Sequence, residues 1–325
     1  MVVDLPDFAA VNAAAVRLVG HIRRTPVWNS EEFDRRVGRR VWFKCENLQR
    51  GGAFKIRGAM NAALQIQRPV GAGPRRLITH SSGNHGAALA LAARDLGFEC
   101  VVVMPVNSAA LKFDAVKAAG ARVVRCAPGI AAREAALQQL QKDSPADVVH
   151  PYDDARVIAG QGTAALELLQ EHPDLAVLLA PIGGGGLIGG TALAARGLRG
   201  ASCKVFAAEP LAADDAARSF RSGRCEVSGT PDTIADGLRG ALGVRNFALL
   251  LSHVEDVLTV TESDIIAAMR ILLQDLKLLV EPSAAVPVAA LLACGASLPP
   301  GDVGIILSGG NVDLAACPFL SPAAR

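Results

Sequence analysis

Short runs of β-branched and aliphatic residues recur along the chain at "VWFKCE" (41–46), "RRLITHS" (75–81), "ECVVVM" (99–104), "ARVVRC" (121–126), "DVVHP" (147–151), "AVLLAPI" (176–182), "CKVFAAE" (203–209), "DVLTV" (256–260) and "DVGIILS" (302–308). Near-continuous apolar runs of this length suit strands buried on both faces. Between them lie alanine- and leucine-rich segments such as "HGAALALAARDLG", "AALKFDAVKAAG", "REAALQQLQKD", "VIAGQGTAALELLQ" and "ESDIIAAMRILLQD", which read as helices. The alternation predicts an α/β protein with mainly parallel, doubly wound sheet. Several compact strand–helix units fall between "RPVGAGP" and "HPYDD". Residues 76–152 are therefore expected to form a smaller lobe inserted into a larger one made of 1–75 and 153–325. Neither an internal repeat nor a low-complexity linker divides the chain.

Residues 175–195, "LAVLLAPIGGGGLIGGTALAA", carry no charge over a length that could cross a bilayer. Pro181 and the glycine run after it break any continuous helix there, so a strand, a turn and a helix are expected instead. With 51% apolar and 20% charged residues the composition is that of a soluble globular protein. A net charge of +2, from 33 basic and 31 acidic residues, supplies no field for a nucleic acid or a membrane surface. The 7 cysteines are scattered singly, without a Cys-x-x-Cys pair, which predicts reduced thiols and a cytoplasmic location. The N-terminal "MVVDLPDFAA" lacks the basic and apolar blocks of an export signal.

In open α/β sheets ligands sit at the carboxyl ends of strands, so the loops that follow strands hold the candidate chemistry. In "THSSGNHGAALALAA" (79–93) the free N–H groups of a helix start, with Ser81, Ser82 and Asn84, offer a carboxylate cradle; a plain helix cap explains the same residues. In "APIGGGGLIGG" (180–190) the glycines let backbone amides approach an anion at a helix N-terminus, and a phosphate fits. The same loop satisfies Gly-x-Gly-x-x-Gly at Gly184, Gly186 and Gly189 with Glu209 further on, the pattern of a dinucleotide site. That rival leaves Lys55 and the 79–93 loop without a task. In "AAEPLAADD" (207–215) Glu209, Asp214 and Asp215 suit a hard cation such as Mg²⁺ or Ca²⁺, and equally a solvated acidic turn. "ILSGGNVDL" (306–314) delivers Ser308 to the ligand edge of the last strand. A lysine set among glycines and apolar side chains in "GGAFKIRGAMN" (51–61) is the remaining oddity, since an exposed lysine needs no such setting.

The segments "AFKIRGA", "SSGNHG", "HPYDDARVIAGQGT", "GGGGLIGG" and "SGGN", in that order, resemble the fold-type II pyridoxal-phosphate enzymes, specifically the threonine/serine dehydratase and serine racemase family. The similarity runs from "TPVW" at 25 to "SGGNVDL" at 314. It implies a tryptophan synthase β-like fold, two doubly wound open-sheet domains with pyridoxal 5'-phosphate between them. It also implies that Lys55 forms the Schiff base, that Phe54 packs on the pyridine ring and that Asn84 binds its phenolic oxygen. Gly183, Gly184, Gly185, Gly186 and Leu187 would hold the phosphate, and Ser308 would face the ring nitrogen. Ser81, Ser82, Gly83, Asn84 and His85 would receive the substrate carboxylate, with Arg133 near the entrance. Glu209, the carbonyl of Ala213 and Asp215 would bind a divalent cation. The implied reaction is loss of water and ammonia from a 3-hydroxy amino acid to give a 2-oxo acid, with Lys55 as base; the alternatives are serine racemisation, or dehydration of 3-hydroxyaspartate or 3-phenylserine. Relatives are dimers or tetramers, so a homo-oligomer is expected.

The chain departs from the family at several points. Gly51-Gly52-Ala53 replaces a common Thr-Gly-Ser. Tyr152 and Gly240 stand where racemases of the eukaryotic type have Asn and Ser, which tilts the reading toward a dehydratase, whereas Ser82 serves both activities. Ala285 and Pro287 stand where glycine is common near Glu281. Ending soon after "SGGN", the chain is expected to lack the regulatory domain and isoleucine feedback of biosynthetic threonine dehydratases.

Overall fold

The computed structural model describes residues 4–66, 75–81, 83–143, 146–227, 229 and 231–320. Its strands are β1 (Val27–Trp28), β2 (Val41–Cys45), β3 (Arg76–His80), β4 (Glu99–Pro105), β5 (Arg122–Cys126), β6 (Asp147–Val148), β7 (Val177–Pro181), β8 (Lys204–Pro210), β9 (Asp256–Val260) and β10 (Val303–Leu307). Its helices are α1 (Phe8–Arg17), α2 (Glu31–Val37), α3 (Lys55–Leu64), α4 (Asn84–Leu96), α5 (Ala110–Ala118), α6 (Ile130–Asp143), α7 (Ala155–Glu171), α8 (Gly186–Arg199), α9 (Asp215–Ser222), α10 (Val244–His253), α11 (Glu262–Gln274) and α12 (Pro282–Cys294).

The strands form a 6-stranded sheet in the order β1-β2-β10-β7-β8-β9 and a 4-stranded sheet in the order β5-β4-β3-β6. Every pairing is parallel except β1 with β2. The apolar runs are explained by cover on both faces of the larger sheet. Leu178, Ala180, Val205, Ala207 and Ile306 point to a cluster with α7, α8 and α10, while Val177, Leu179, Ala208, Val303 and Ile305 point to one with α2, α11 and α12. With a side-chain period of 2, a strand buried this way is apolar at nearly every position; Lys44 of β2, buried against Glu167, is an exception that its ion pair permits. The two-residue β1 is too short to leave such a signal.

The 4-stranded sheet is built wholly from residues 76–148, but its core is not. Ile56, Ala59 and Met60 of α3 and Val157 of α7 share an apolar cluster with α4, β3 and β4. Helix α3 is thus wedged between the two sheets. A Cβ at Gly160 of α7 would lie 2.6 Å from the Arg57 carbonyl oxygen, so glycine there lets α3 approach α7 at backbone distance. Among the described residues no helix is long and apolar enough to cross a membrane, and residues 175–195 divide into β7, the glycine loop and the start of α8. The cysteines are all free thiols.

Candidate active site

The carboxyl ends of β3, β6, β7 and β10 open into one cleft with an empty volume of about 950 Å³. Phe54, Lys55, Ser81, Gly83, Asn84, His85, Arg133, Gly183 to Leu187 and Ser308 all line it, bringing together segments far apart in the chain. Ser82, also expected here, lies outside the described residues.

Lys55 is the first residue of α3, a helix that begins without a capping side chain. Its entry is fixed by backbone instead: Phe54 N–H donates to the Ser308 carbonyl at 3.0 Å, and Ala53 bridges to Gly309. Lys55 Nζ donates to the Pro151 carbonyl at 3.2 Å and sits 4.9 Å from the centre of the Phe54 ring. Burial lowers its pKa to about 8, against the opposing charge of Glu281. The neutral amine, the form a base or nucleophile needs, is therefore reached near pH 8 rather than near the ordinary lysine value of 10.5.

The first turn of α3 is also gripped from the side away from the cleft. Arg57 donates to both oxygens of Glu46 at 2.8 and 2.7 Å and to both of Glu167 at 2.7 and 2.9 Å, with Thr163 Oγ1 at 3.1 Å. Lys44 Nζ completes the set at 2.7 Å from Glu167. Arg57, Lys44 and Glu46 are fully buried, and the four charges cancel. Burial alone would raise Glu167, but hydrogen bonds and charge from Arg57 and Lys44 bring it below its ordinary value.

Two helix N-termini face the cleft. Gly185, at φ +92°, turns β7 into α8, and no side chain caps that helix. Among the described residues nothing accepts a hydrogen bond from the N–H groups of Gly183 to Leu187. Gly184 has a steric reason as well, because a Cβ there would fall 2.3 Å from Cγ of Tyr152. Unclaimed amides at a helix start form an anion cradle. At the second N-terminus Gly83 N–H donates to Ser81 Oγ at 3.2 Å, and the N–H groups of Asn84 and His85, at the start of α4, have no acceptor among the described residues.

Asn84 is engaged by a residue that was noted in the sequence only as a neighbour. Its Nδ2 donates to Glu281 Oε1 at 2.9 Å and Oε2 at 3.0 Å, and its Oδ1 accepts from Asn311 Nδ2 at 3.0 Å. Glu281 is only 3% exposed, and burial raises its pKa, with Lys112 and Asn84 opposing. A cofactor oxygen bound by Asn84 would share Nδ2 with this carboxylate. At the mouth Lys112 of α5 pairs with Asp236 at 2.5 Å, joining the two sheets' lobes across the cleft. Residues 197 and 124 positions apart leave no local pattern, so neither pairing was visible in the sequence.

The acidic loop lies apart from the cleft. Glu209 Oε1 accepts from Ala217 N–H at 2.6 Å, and Asp215 Oδ2 accepts from Leu242 N–H at 3.1 Å. Burial pushes Glu209 up to about 8, with the Ala217 amide opposing and the charge of Asp215 adding. Asp215 is raised by burial too. Among the described residues no three His, Cys, Asp or Glu side chains gather as a metal set. Two buried carboxylates beside the backbone of Ala213 suit a hard cation that completes its shell with carbonyls and water.

Residues 18–309 match the family model described as "Pyridoxal-phosphate dependent enzyme". The chain is 41% identical to the beta-hydroxyaspartate dehydratase of Paracoccus denitrificans over 97% of its own length and 99% of that protein's. It is 42% identical to the serine racemase of Arabidopsis thaliana, covering 95% of this chain and 94% of that one. The structure of maize serine racemase superposes with a TM-score of 0.92 at 38% identity, over 96% of this chain and 95% of that one.

Proposed function

We propose, from the premise that this chain belongs to the pyridoxal-phosphate dependent enzyme family, that it is an ammonia-lyase removing water and ammonia from a 3-hydroxy amino acid to leave a 2-oxo acid. The observation that carries this reading is Lys55, a lysine with its pKa lowered to about 8 at the floor of a cleft flanked by two anion-ready helix N-termini. The residues present fit the cofactor: Lys55 would hold it covalently, the amides of Gly183 to Leu187 would take its phosphate, Phe54 would cover its ring and Ser308 would meet the ring nitrogen. Bound there, it supplies an electron sink for negative charge developing at the substrate Cα. Ser81 and the amides of Asn84 and His85 orient the substrate carboxylate. Lys55 Nζ, whose proton burial makes easier to lose, takes the Cα proton in its neutral form. Departure of the β-hydroxyl leaves an enamine that water converts to the 2-oxo acid and ammonia.

Serine racemisation is the second reading, supported by the similarity to the Arabidopsis and maize proteins. Tyr152 and Gly240 favour elimination. A panel of L-serine, L-threonine, 3-hydroxyaspartate and 3-phenylserine, assayed for 2-oxo acid and for D-enantiomer, separates the two. Predominant 2-oxo acid supports the lyase; predominant D-enantiomer overturns it.

The depressed lysine makes a pH prediction. Apoenzyme reconstitution with pyridoxal phosphate, followed by its visible band, should accelerate about tenfold per pH unit and level off near 8. A rate still climbing toward the ordinary lysine value of 10.5 would contradict the assignment.

Glu209, the Ala213 carbonyl and Asp215 would hold Mg²⁺ or Ca²⁺, neutralising two buried carboxylates beneath the loop that leads to Asp236 and Gly240. EDTA is expected to lower the melting temperature and added Mg²⁺ or Ca²⁺ to restore it, by about 2.7 kcal/mol at a hundredfold excess over Kd. Glu209→Gln should respond to neither. A cytoplasmic homodimer or homotetramer is proposed with it, on the family resemblance alone.

A further inference from the structure

Segments from four parts of the chain meet around Asn84 in a run of hydrogen bonds whose direction is fixed from one end. Asn311, just past β10, donates from Nδ2 to the Gly51 carbonyl at 2.8 Å and to Asn84 Oδ1 at 3.0 Å. A carbonyl only accepts, so the atom of Asn311 that faces Gly51 is its amide nitrogen, and both hydrogens of that nitrogen are spent. The group of Asn84 that meets it must then be the oxygen. That places Asn84 Nδ2 on the other side, where it donates to Glu281 Oε1 at 2.9 Å and Oε2 at 3.0 Å.

The backbone leaves space for both ends of this run. A Cβ at Gly52 would collide with Asn311 Oδ1, and one at Gly309 would fall 2.7 Å from Glu281 Oε1. Glu281 is buried, its N–H donates to the Gly309 carbonyl at 3.0 Å, and among the described residues no donor other than Asn84 Nδ2 reaches its side-chain oxygens. One N–H directed between those oxygens meets both, so the second hydrogen of Nδ2 is left for the cleft that Asn84 lines. A donor aimed at the cofactor's phenolic oxygen favours that oxygen in its anionic form. The proton it would otherwise hold then stays on the nitrogen joined to Lys55, which makes the adjoining carbon a better target for a substrate amine.

We infer that Glu281 and Asn311 are positioning residues that lock the Asn84 amide with an N–H toward the cofactor's phenolic oxygen, so that the proton shared by this oxygen and the Lys55 nitrogen stays on the nitrogen. The inference rests on Lys55 as the tether and is indifferent to whether elimination or racemisation follows.

The test is the absorption spectrum of the holoenzyme without substrate, in which the form with the proton on nitrogen absorbs in the visible and the form with the proton on oxygen in the near ultraviolet. The double variant Glu281→Gln with Asn311→Asp reverses the run at both ends: Asp accepts where Asn311 donated, Gln can donate where Glu281 accepted, and the Asn84 amide turns its oxygen toward the cofactor. Its visible-to-ultraviolet ratio should fall at least about fivefold, the weight of one hydrogen bond. The charge of Glu281 acts with opposite sign on the cationic nitrogen and the anionic oxygen, so the ratio reads the hydrogen bond more than the charge. In an Asn84→Ala background the same two substitutions should shift the ratio no further, because both act through that amide. A reversed variant that keeps the wild-type ratio, or whose shift persists undiminished without Asn84, overturns the inference. If the double variant does not fold, Asn311→Asp alone decides: a fall in the ratio that vanishes in Asn84→Ala supports the lock, and no fall overturns it. Borohydride reduction of the same samples marks the tether. Label on Lys55 with an unshifted ratio sinks the lock alone, whereas label on another lysine sinks the premise.

Discussion

Lys55→Ala is expected to lower turnover by a factor on the order of 10⁴ or more, because one substitution removes both the covalent tether and the base. The fold should survive. Among the described residues Nζ makes a single hydrogen bond, to the Pro151 carbonyl, and the start of α3 is held by the Phe54 amide and the Arg57 network rather than by this side chain. The variant apoprotein should therefore melt within a few degrees of the wild-type apoprotein while lacking the visible band of the lysine-bound cofactor. A Lys55→Ala protein that keeps both band and activity would refute the role. One that fails to fold would show that the helix start depends on Lys55 in a way its contacts do not suggest.

Arg57→Met should have the largest effect on stability. Removing the guanidinium leaves Lys44 alone against Glu46 and Glu167, a buried excess of negative charge, and breaking a buried pair in this way costs about 3–5 kcal/mol. Arg57→Lys keeps the charge but loses the fork that reaches two carboxylates at once, so it should fall in between. Glu167 adds a pH signature. Its folded pKa lies below the ordinary 4.5, so its contribution is complete above that value and is lost as pH falls through the lower folded one. Acid unfolding of the wild type should thus steepen below pH 4.5, and the variant should lose part of that dependence. Denaturant melts at neutral and acid pH test both statements. A loss under about 1 kcal/mol for Arg57→Met would mean that the buried ions stabilise no more than a methionine in the same space. The helix so anchored carries Lys55, and the variant is expected to hold its cofactor more weakly as well.

Strands buried on both faces announce themselves, since Val177 and Leu179 face one core and Leu178 and Ala180 the other, leaving no polar position to blur the pattern. The glycine loop was legible for a related reason: a chain that needs φ +92° at Gly185 and no Cβ at Gly184 has few other residues to use. Lys55 was conspicuous because its surroundings were wrong for a surface lysine. Contacts made across the fold left no such mark. Glu281 meets Asn84 only because α12 and α4 converge on the cleft, and Lys112 meets Asp236 only because the two sheets face each other. The strands of the 4-stranded sheet all lie within 76–148, whereas α3, earlier in the chain, packs into the same apolar cluster as β3, β4 and α4, a contact no local pattern announces. His80 read as the end of a strand, and that its ring nitrogens meet no hydrogen-bond partner among the described residues is evident only once the fold is assembled.

Lys55 Nζ is the atom expected to hold the cofactor. Borohydride reduction of the holoenzyme makes that bond permanent, and peptide mapping by mass spectrometry then locates it. A pyridoxyl group is expected on the peptide containing Lys55 and on no other; a label on a different lysine, or none in a protein that retains activity, would rule out Lys55 as the tether.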